Sequence, residues 1–134
     1  MKVKFWDPSK NYRSIKGEID KAISNVLESG QLVLGYGKDI EKFEKSFAKF
    51  IGTKHAVMCG AGTQALYLAY RALGIGPGDE VVTTSMTFIA TVDQIVALGA
   101  KPILVDIGED GLIDPILIEK AITKKTKAIV PVHL

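Results

Sequence analysis

Cysteine is nearly absent. Cys59 stands alone, so no intrachain disulfide can form and no thiolate cluster can hold a metal. Histidine is almost as scarce: His55 and His133 lie far apart in sequence, and each reads as a structural or exposed residue, not a ligand. Charge of one sign is missing too. The 17 basic and 15 acidic residues leave a formal net charge of +2, mixed along the chain with no basic arm or face, which argues against a nucleic-acid partner. No apolar run approaches the ~20 residues that span a bilayer. The opening residues, Met1 to Asp7, carry charge with no apolar stretch behind it, unlike a secretory leader. Together these absences lead us to expect a cytoplasmic protein that binds no metal, membrane or nucleic acid.

What remains is an ordinary globular balance, 47% apolar and 24% charged residues, with 13 glycines against 5 prolines. At 134 residues the chain is the size of one domain, and a single domain over 1–134 is expected.

Two helices are predicted first. Ile15, Ile19, Ala22, Ile23, Val26 and Leu27 make a helical stripe that stops at Gly30. After Gly35-Tyr36-Gly37, a second stripe of Ile40, Phe43, Phe47 and Phe50 ends at Gly52. Its outward positions, Lys42, Glu44, Lys45 and Lys49, read as a solvated face.

From residue 54 the pattern alternates between strand and helix. Short apolar runs at 54–59, 80–84, 102–106 and 127–132 predict four strands. Between them fall a helix from Thr63 to Leu73 closed by Gly74, another from Phe88 to Leu98 closed by Gly99, and a third opened by Asp114-Pro115. Strands apolar throughout, separated by amphipathic helices, imply an α/β fold whose parallel sheet has helices on both faces. The last run, Pro131-Val132-His133-Leu134, follows a strand that reads as interior, where a covering helix is expected next. We therefore expect a truncated chain, with uncovered faces and an unpaired edge that favour dimers or higher oligomers. The Trp6 segment and the helices over 15–28 and 38–51 are the expected contacts.

In an open parallel sheet, ligands bind at the carboxyl ends of the strands. The first such end is Gly60-Ala61-Gly62-Thr63-Gln64. Glycines allow close backbone approach, and the free N–H groups of a helix start favour an anion such as phosphate. The turn is not a Walker loop, since no Lys-Ser/Thr pair follows. It also departs from the dinucleotide pattern, since Ala65 stands where a third glycine belongs. The second end carries Phe88, which could lie against a ring-shaped ligand. On the residues alone, its first reading is a core side chain at a helix start. Asp106 and Asp79 read as turn residues, Asp93 as exposed, and Cys59 as a small buried strand residue.

A series of segments resembles one family in order and spacing over nearly the whole chain. They are Gly62-Thr63-Gln64-Ala65-Leu66, then Ala72-Leu73-Gly74-Ile75-Gly76-Pro77-Gly78-Asp79-Glu80-Val81 and Thr87-Phe88-Ile89-Ala90-Thr91. Gly99-Ala100-Lys101-Pro102, Val105-Asp106 and Thr126 to Leu134 complete the series. The series resembles the DegT/DnrJ/StrS sugar aminotransferases. That resemblance implies the N-terminal part of a fold-type I pyridoxal-phosphate enzyme, a homodimer acting on a keto sugar attached to a nucleotide. Carried over by position, Gly62 and Thr63, with Gln64 beside them, would bind the cofactor phosphate, and Phe88 would stack on its ring. Gly60-Ala61 departs from the small polar residues frequent there in the family. The family's cofactor-anchoring lysine and the aspartate that pairs with the ring nitrogen lie beyond Leu134. The resemblance thus implies no catalytic residue within 1–134 and no transamination by this chain alone. The alternatives left open are a Rossmann-like phosphate- or nucleotide-binding module and a non-catalytic dimerisation partner.

Overall fold

The computed structural model describes residues 5, 7–30, 32 and 38–133, which fall into two compact units, Met1–Met58 and Cys59–Leu134. Trp6, Gly35-Tyr36-Gly37 and Leu134 lie outside the described residues.

The first unit is helical. The two expected helices are α2 (Lys16–Ser29) and α3 (Lys38–Ile51), and a short α1 (Pro8–Ser14) precedes them. The sequence reading missed α1 because Pro-Ser-Lys-Asn-Tyr-Arg-Ser has no apolar stripe. Its one signal is Pro8 at the first helical position. Gly30 ends α2 at φ 65°, a backbone that side-chain-bearing residues rarely adopt. On the surface, the Asp20 carboxylate accepts from Lys16 and from the Tyr12 hydroxyl, chiefly from Lys16, and is held below the usual carboxylate range. The apolar stripes of these helices are largely uncovered: Phe43, Phe47 and Phe50 of α3 are exposed, as are Ile23 and Leu27 of α2, and Ala48 is the buried residue of α3.

Two expectations fail here. Glu44 does not sit on a solvated face. It is half-buried, and its carboxylate accepts the main-chain N–H of Met58 at 2.7 Å. Residues 54–59 form no strand, and Val57 and Met58 are exposed. An apolar run becomes a strand only when another strand takes its N–H and C=O groups, and none of the described residues does so.

The second unit holds the packed core. Its strands β1 (Glu80–Thr84), β2 (Lys101–Val105) and β3 (Thr126–Ile129) form one three-stranded parallel sheet in the order β2-β1-β3. Val82 sits opposite Ile103 on one side and Ile129 on the other. The sheet is thus one strand smaller than the four predicted runs. Helices α4 (Gly62–Ala72), α5 (Ala90–Ala97) and α6 (Pro115–Ala121) connect it. Asp114 caps α6, accepting from the Ile116 N–H at 2.8 Å, with Pro115 at the first helical position as expected. The chain steps from β1 outward to β2 and then back past β1 to β3. Right-handed crossovers in these opposite directions place α5 and α6 on opposite faces. Burial agrees, since the successive residues Val81 and Val82 of β1 are both fully enclosed.

One face carries the main cluster of Tyr70, Ile75, Val81, Ile95, Leu98 and Ala100. At about 2 kcal/mol for each fully buried aliphatic side chain, Val81 and Ile95 hold α5 to the sheet more firmly than any single hydrogen bond could. Leu104 of β2 and Ile129 of β3, on the two outer strands, remain exposed.

Candidate functional site

The start of α4 lies just beyond the Gly60-Ala61 turn. Ala61 occupies the cap position in an extended conformation, and it has no side-chain oxygen to offer the helix. Its carbonyl accepts the Ala65 N–H at 2.9 Å, which opens the helical ladder. The N–H groups of Gly62, Thr63 and Gln64 therefore have no helical acceptor. The Gln64 side chain turns away from them and accepts the Gly60 N–H at 2.8 Å. A Cβ at Gly62 would meet nothing within 4 Å, so packing does not demand glycine there, and the space around it is open.

The β1–α5 turn supplies the facing wall. Met86 N–H bonds the Thr84 hydroxyl at 3.2 Å, and Thr87 N–H bonds the Ser85 carbonyl at 3.0 Å. Helix α5 begins at Ala90, two residues later than the sequence suggests, which leaves Phe88 in the turn. Phe88 is 73% exposed, so its reading as a core residue is wrong. Thr91, by contrast, is buried. Its N–H bonds the Phe88 carbonyl at 3.0 Å, and its hydroxyl pairs with that of Thr87 at 2.8 Å. The buried Tyr70 of α4 donates its hydroxyl to the Thr91 carbonyl at 3.2 Å, and burial pushes the Tyr70 phenol up from its ordinary value.

Between these walls lies an open cleft of about 670 Å³. Gly62, Thr63, Ala65, Leu66 and Ala69 line it from α4, and Phe88, Ala90 and Thr91 line it from the other side. Three of the four expected site residues, Gly62, Thr63 and Phe88, thus come together. Gln64 does not line the cleft, because its side chain is folded onto Gly60. The cleft pairs a helix N-terminus with an apolar wall and an exposed aromatic, an arrangement suited to a flat ligand carrying phosphate. Among the described residues, no lysine, histidine, cysteine or carboxylate lines it, so the side chains that do offer no proton transfer near neutral pH.

The other candidates stand apart from the cleft. Asp106 accepts the Ile107 N–H at 3.2 Å and Asp79 accepts the Gly76 N–H at 3.0 Å, both turn roles as expected, and Asp93 is exposed. His55 and His133 are exposed. Cys59 is half-buried in the extended segment rather than in a strand, with its thiol 3.6 Å from the Ala61 carbonyl. Among the described residues, no cluster of His, Cys, Asp and Glu is placed to hold a metal, and no helix is long and apolar enough to cross a membrane.

Sequence reasoning assigned no role to Tyr70 or Thr91. Tyr70 falls on the apolar stripe of α4 and signals burial, but nothing in the sequence points its hydroxyl at a carbonyl 21 residues away.

A model of the DegT/DnrJ/EryC1/StrS aminotransferase family matches residues 13–134. The dTDP-3-amino-3,4,6-trideoxy-alpha-D-glucose transaminase of Streptomyces venezuelae is 47% identical over 134 residues, 99% of this chain and 35% of that protein. Among solved structures, S. venezuelae DesV in complex with a ketimine intermediate matches with a TM-score of 0.92 and 47% identity, over 98% of this chain and 35% of that one. The structure of ntda from Bacillus subtilis with bound cofactor PMP matches with a TM-score of 0.84 and 37% identity, over 90% of this chain and 28% of that one. The chain spans about a third or less of the length of these relatives.

Proposed function

The chain belongs to the DegT/DnrJ/EryC1/StrS aminotransferase family, and from that premise we propose that it forms the phosphate- and ring-binding part of a pyridoxal-phosphate enzyme that aminates a nucleotide-linked keto sugar. One observation carries this reading: Gly62 and Thr63, whose N–H groups have no acceptor within the helix, and the exposed ring of Phe88 line the same cleft. The donor set fits the cofactor. Main-chain N–H groups and the Thr63 hydroxyl match a phosphate dianion in number and sign, and Phe88 offers a face to a pyridine ring.

Bound there, the cofactor supplies an electron-withdrawing ring that stabilises negative charge at the carbon carrying the transferred amine. The start of α4 would hold the anionic end, Phe88 would stack on the ring, and Ala65, Leu66 and Ala69 would help exclude water from the cleft. The amine that anchors the aldehyde and the carboxylate that faces the ring nitrogen come from outside these 134 residues, as the family resemblance implies. The chain alone therefore binds weakly and does not transaminate. The complete enzyme is a homodimer of the cytoplasm, and the exposed apolar faces of α2 and α3 suit subunit contact.

Titration of the chain with pyridoxamine 5′-phosphate, followed by amide NMR, tests the site. Shifts should centre on Gly62, Thr63 and Phe88, and Thr63→Ala should weaken binding. Shifts centred elsewhere would overturn the assignment. Turnover of a nucleotide keto sugar with glutamate, together with stoichiometric labelling of one lysine by pyridoxal phosphate and borohydride, would overturn the claim of inactivity.

A further inference from the structure

Thr91 holds the main chain of Phe88 and the hydroxyl of Thr87 just before it. Its N–H takes the Phe88 carbonyl at 3.0 Å, its hydroxyl pairs with Thr87 at 2.8 Å, and its carbonyl receives the Tyr70 hydroxyl at 3.2 Å. Thr91 and Tyr70 are both buried, whereas Phe88 stands 73% exposed on the cleft wall. A turn that lifts an aromatic into water has no packing of its own to set the ring's position, so its backbone must be fixed from beneath. The contact from Tyr70 extends that fixing to α4, the helix whose first residues form the anion end of the cleft.

We propose that Thr91 is a positioning residue for ring recognition. Through Thr87 and the Phe88 carbonyl it presets where the Phe88 ring stands relative to the start of α4. This inference rests on the reading of the cleft as a cofactor site. Fixing the turn in advance removes part of the ordering cost of binding a ring, but it contributes nothing to an anion bound at Gly62 and Thr63. Thr91 therefore acts on the ring and not on the phosphate, a division that a general loss of stability would not produce.

The experiment compares two probes on the full chain by NMR titration: pyridoxamine 5′-phosphate, which has no aldehyde to react with surface lysines, and methyl phosphate, which has no ring. Thr91→Val keeps the shape and removes the hydroxyl, and Thr91→Ser keeps the hydroxyl. The valine variant should weaken pyridoxamine 5′-phosphate binding roughly fivefold, as expected for loss of an aromatic contact, with methyl phosphate binding unchanged. Thr91→Ser should retain most of the affinity. Thr87→Val removes the same hydroxyl pair from the less buried side and should reproduce the effect even where Thr91→Val does not fold. Equal weakening of both probes would reduce Thr91 to a structural role, and undiminished pyridoxamine 5′-phosphate binding in both valine variants would overturn the proposal outright. If the unmodified chain bound the two probes equally, the assigned ring contact of Phe88 would itself fall and this inference with it.

Discussion

Gln64 returns its side-chain oxygen to the main-chain N–H of Gly60 at 2.8 Å, and a Cβ at residue 60 would stand 3.0 Å from that same oxygen. The contact resembles the returning half of a capping box displaced by one residue, since it takes the N–H of Gly60 and not that of the cap residue Ala61. The third helical residue reaches back across the turn, while Ala61, at the cap itself, has no oxygen to reach forward. The turn is closed without using the N–H groups of Gly62 and Thr63. The smallness of residue 60 and the length of residue 64 are thus two parts of one device.

That coupling sets the first prediction. Gln64→Ala should cost about 1 kcal/mol, the usual net worth of one hydrogen bond. Gly60→Ala should cost a similar amount by crowding the same oxygen. The double variant should cost little more than either alone, because both changes break one contact. Additive losses in denaturant titrations would show that the two residues act separately.

Tyr70 sets the second. Its folded-state pKa is raised above the ordinary tyrosine value of 10.0 because burial disfavours the phenolate. The folded state therefore holds this proton more tightly than the unfolded state does. Stability is at its full value below pH 10, and it falls as pH rises from there through the raised folded-state value. Tyr70→Phe should lose about 1 kcal/mol at neutral pH with the hydrogen bond to Thr91, and it should lose less than the parent on going to high pH. Parallel stability curves for the two proteins up to the alkaline limit would refute the assignment.

Much of this arrangement is legible in the sequence, and the boundary of what is legible has a physical cause. Glycines 30, 52, 74 and 99 mark helix ends because each takes a positive φ. Asp114-Pro115 marks a helix start because both the cap and the ring of proline act locally. The strands at 80–84, 101–105 and 126–129 show as apolar runs, while the run at 54–59 misleads, since pairing depends on partners distant in the chain. Gly62, Thr63 and Phe88 could be named from the family resemblance. The threonine and tyrosine hydroxyls beneath Phe88 could not, because periodicity reports burial and is silent on where a buried hydroxyl finds its acceptor.

Glu44 illustrates the same limit and gives the third prediction. Its spacing assigns it to a solvated helix face, yet it holds the Met58 N–H at 2.7 Å. Glu44→Ala should speed hydrogen exchange at Met58 and lower stability by about 1 kcal/mol, below the usual value for a bond to a charged group because the site is half-exposed. Glu44→Gln keeps an acceptor and should largely restore protection. Unchanged exchange at Met58 in the alanine variant would show that the contact contributes nothing in solution.

The last prediction concerns the uncovered stripe of α3. Phe43 and Phe47 stack at 5.5 Å between ring centroids, and Phe47 and Phe50 lie 6.4 Å apart, so the three rings form one continuous patch. Phe50 is 83% exposed, Phe43 52% and Phe47 44%. A phenylalanine has roughly 150–250 Å² to bury, so three such rings alone approach the few hundred Å² that is the usual upper size of an apolar patch on a monomer. Two of the lysines beside them, Lys42 and Lys45, pair with Asp39 and Glu41 on their own helix. Sedimentation velocity over a concentration series should therefore show self-association through this face. Phe47→Glu should weaken it about tenfold or more, since burying an unpaired carboxylate in an apolar contact costs well over the 1.4 kcal/mol that a factor of ten requires. Far-ultraviolet circular dichroism should be unchanged, because Phe47 makes no part of the buried core. A chain that sediments as a monomer at every concentration, or a Phe47→Glu variant that associates as well as the parent, would remove α3 from the contact.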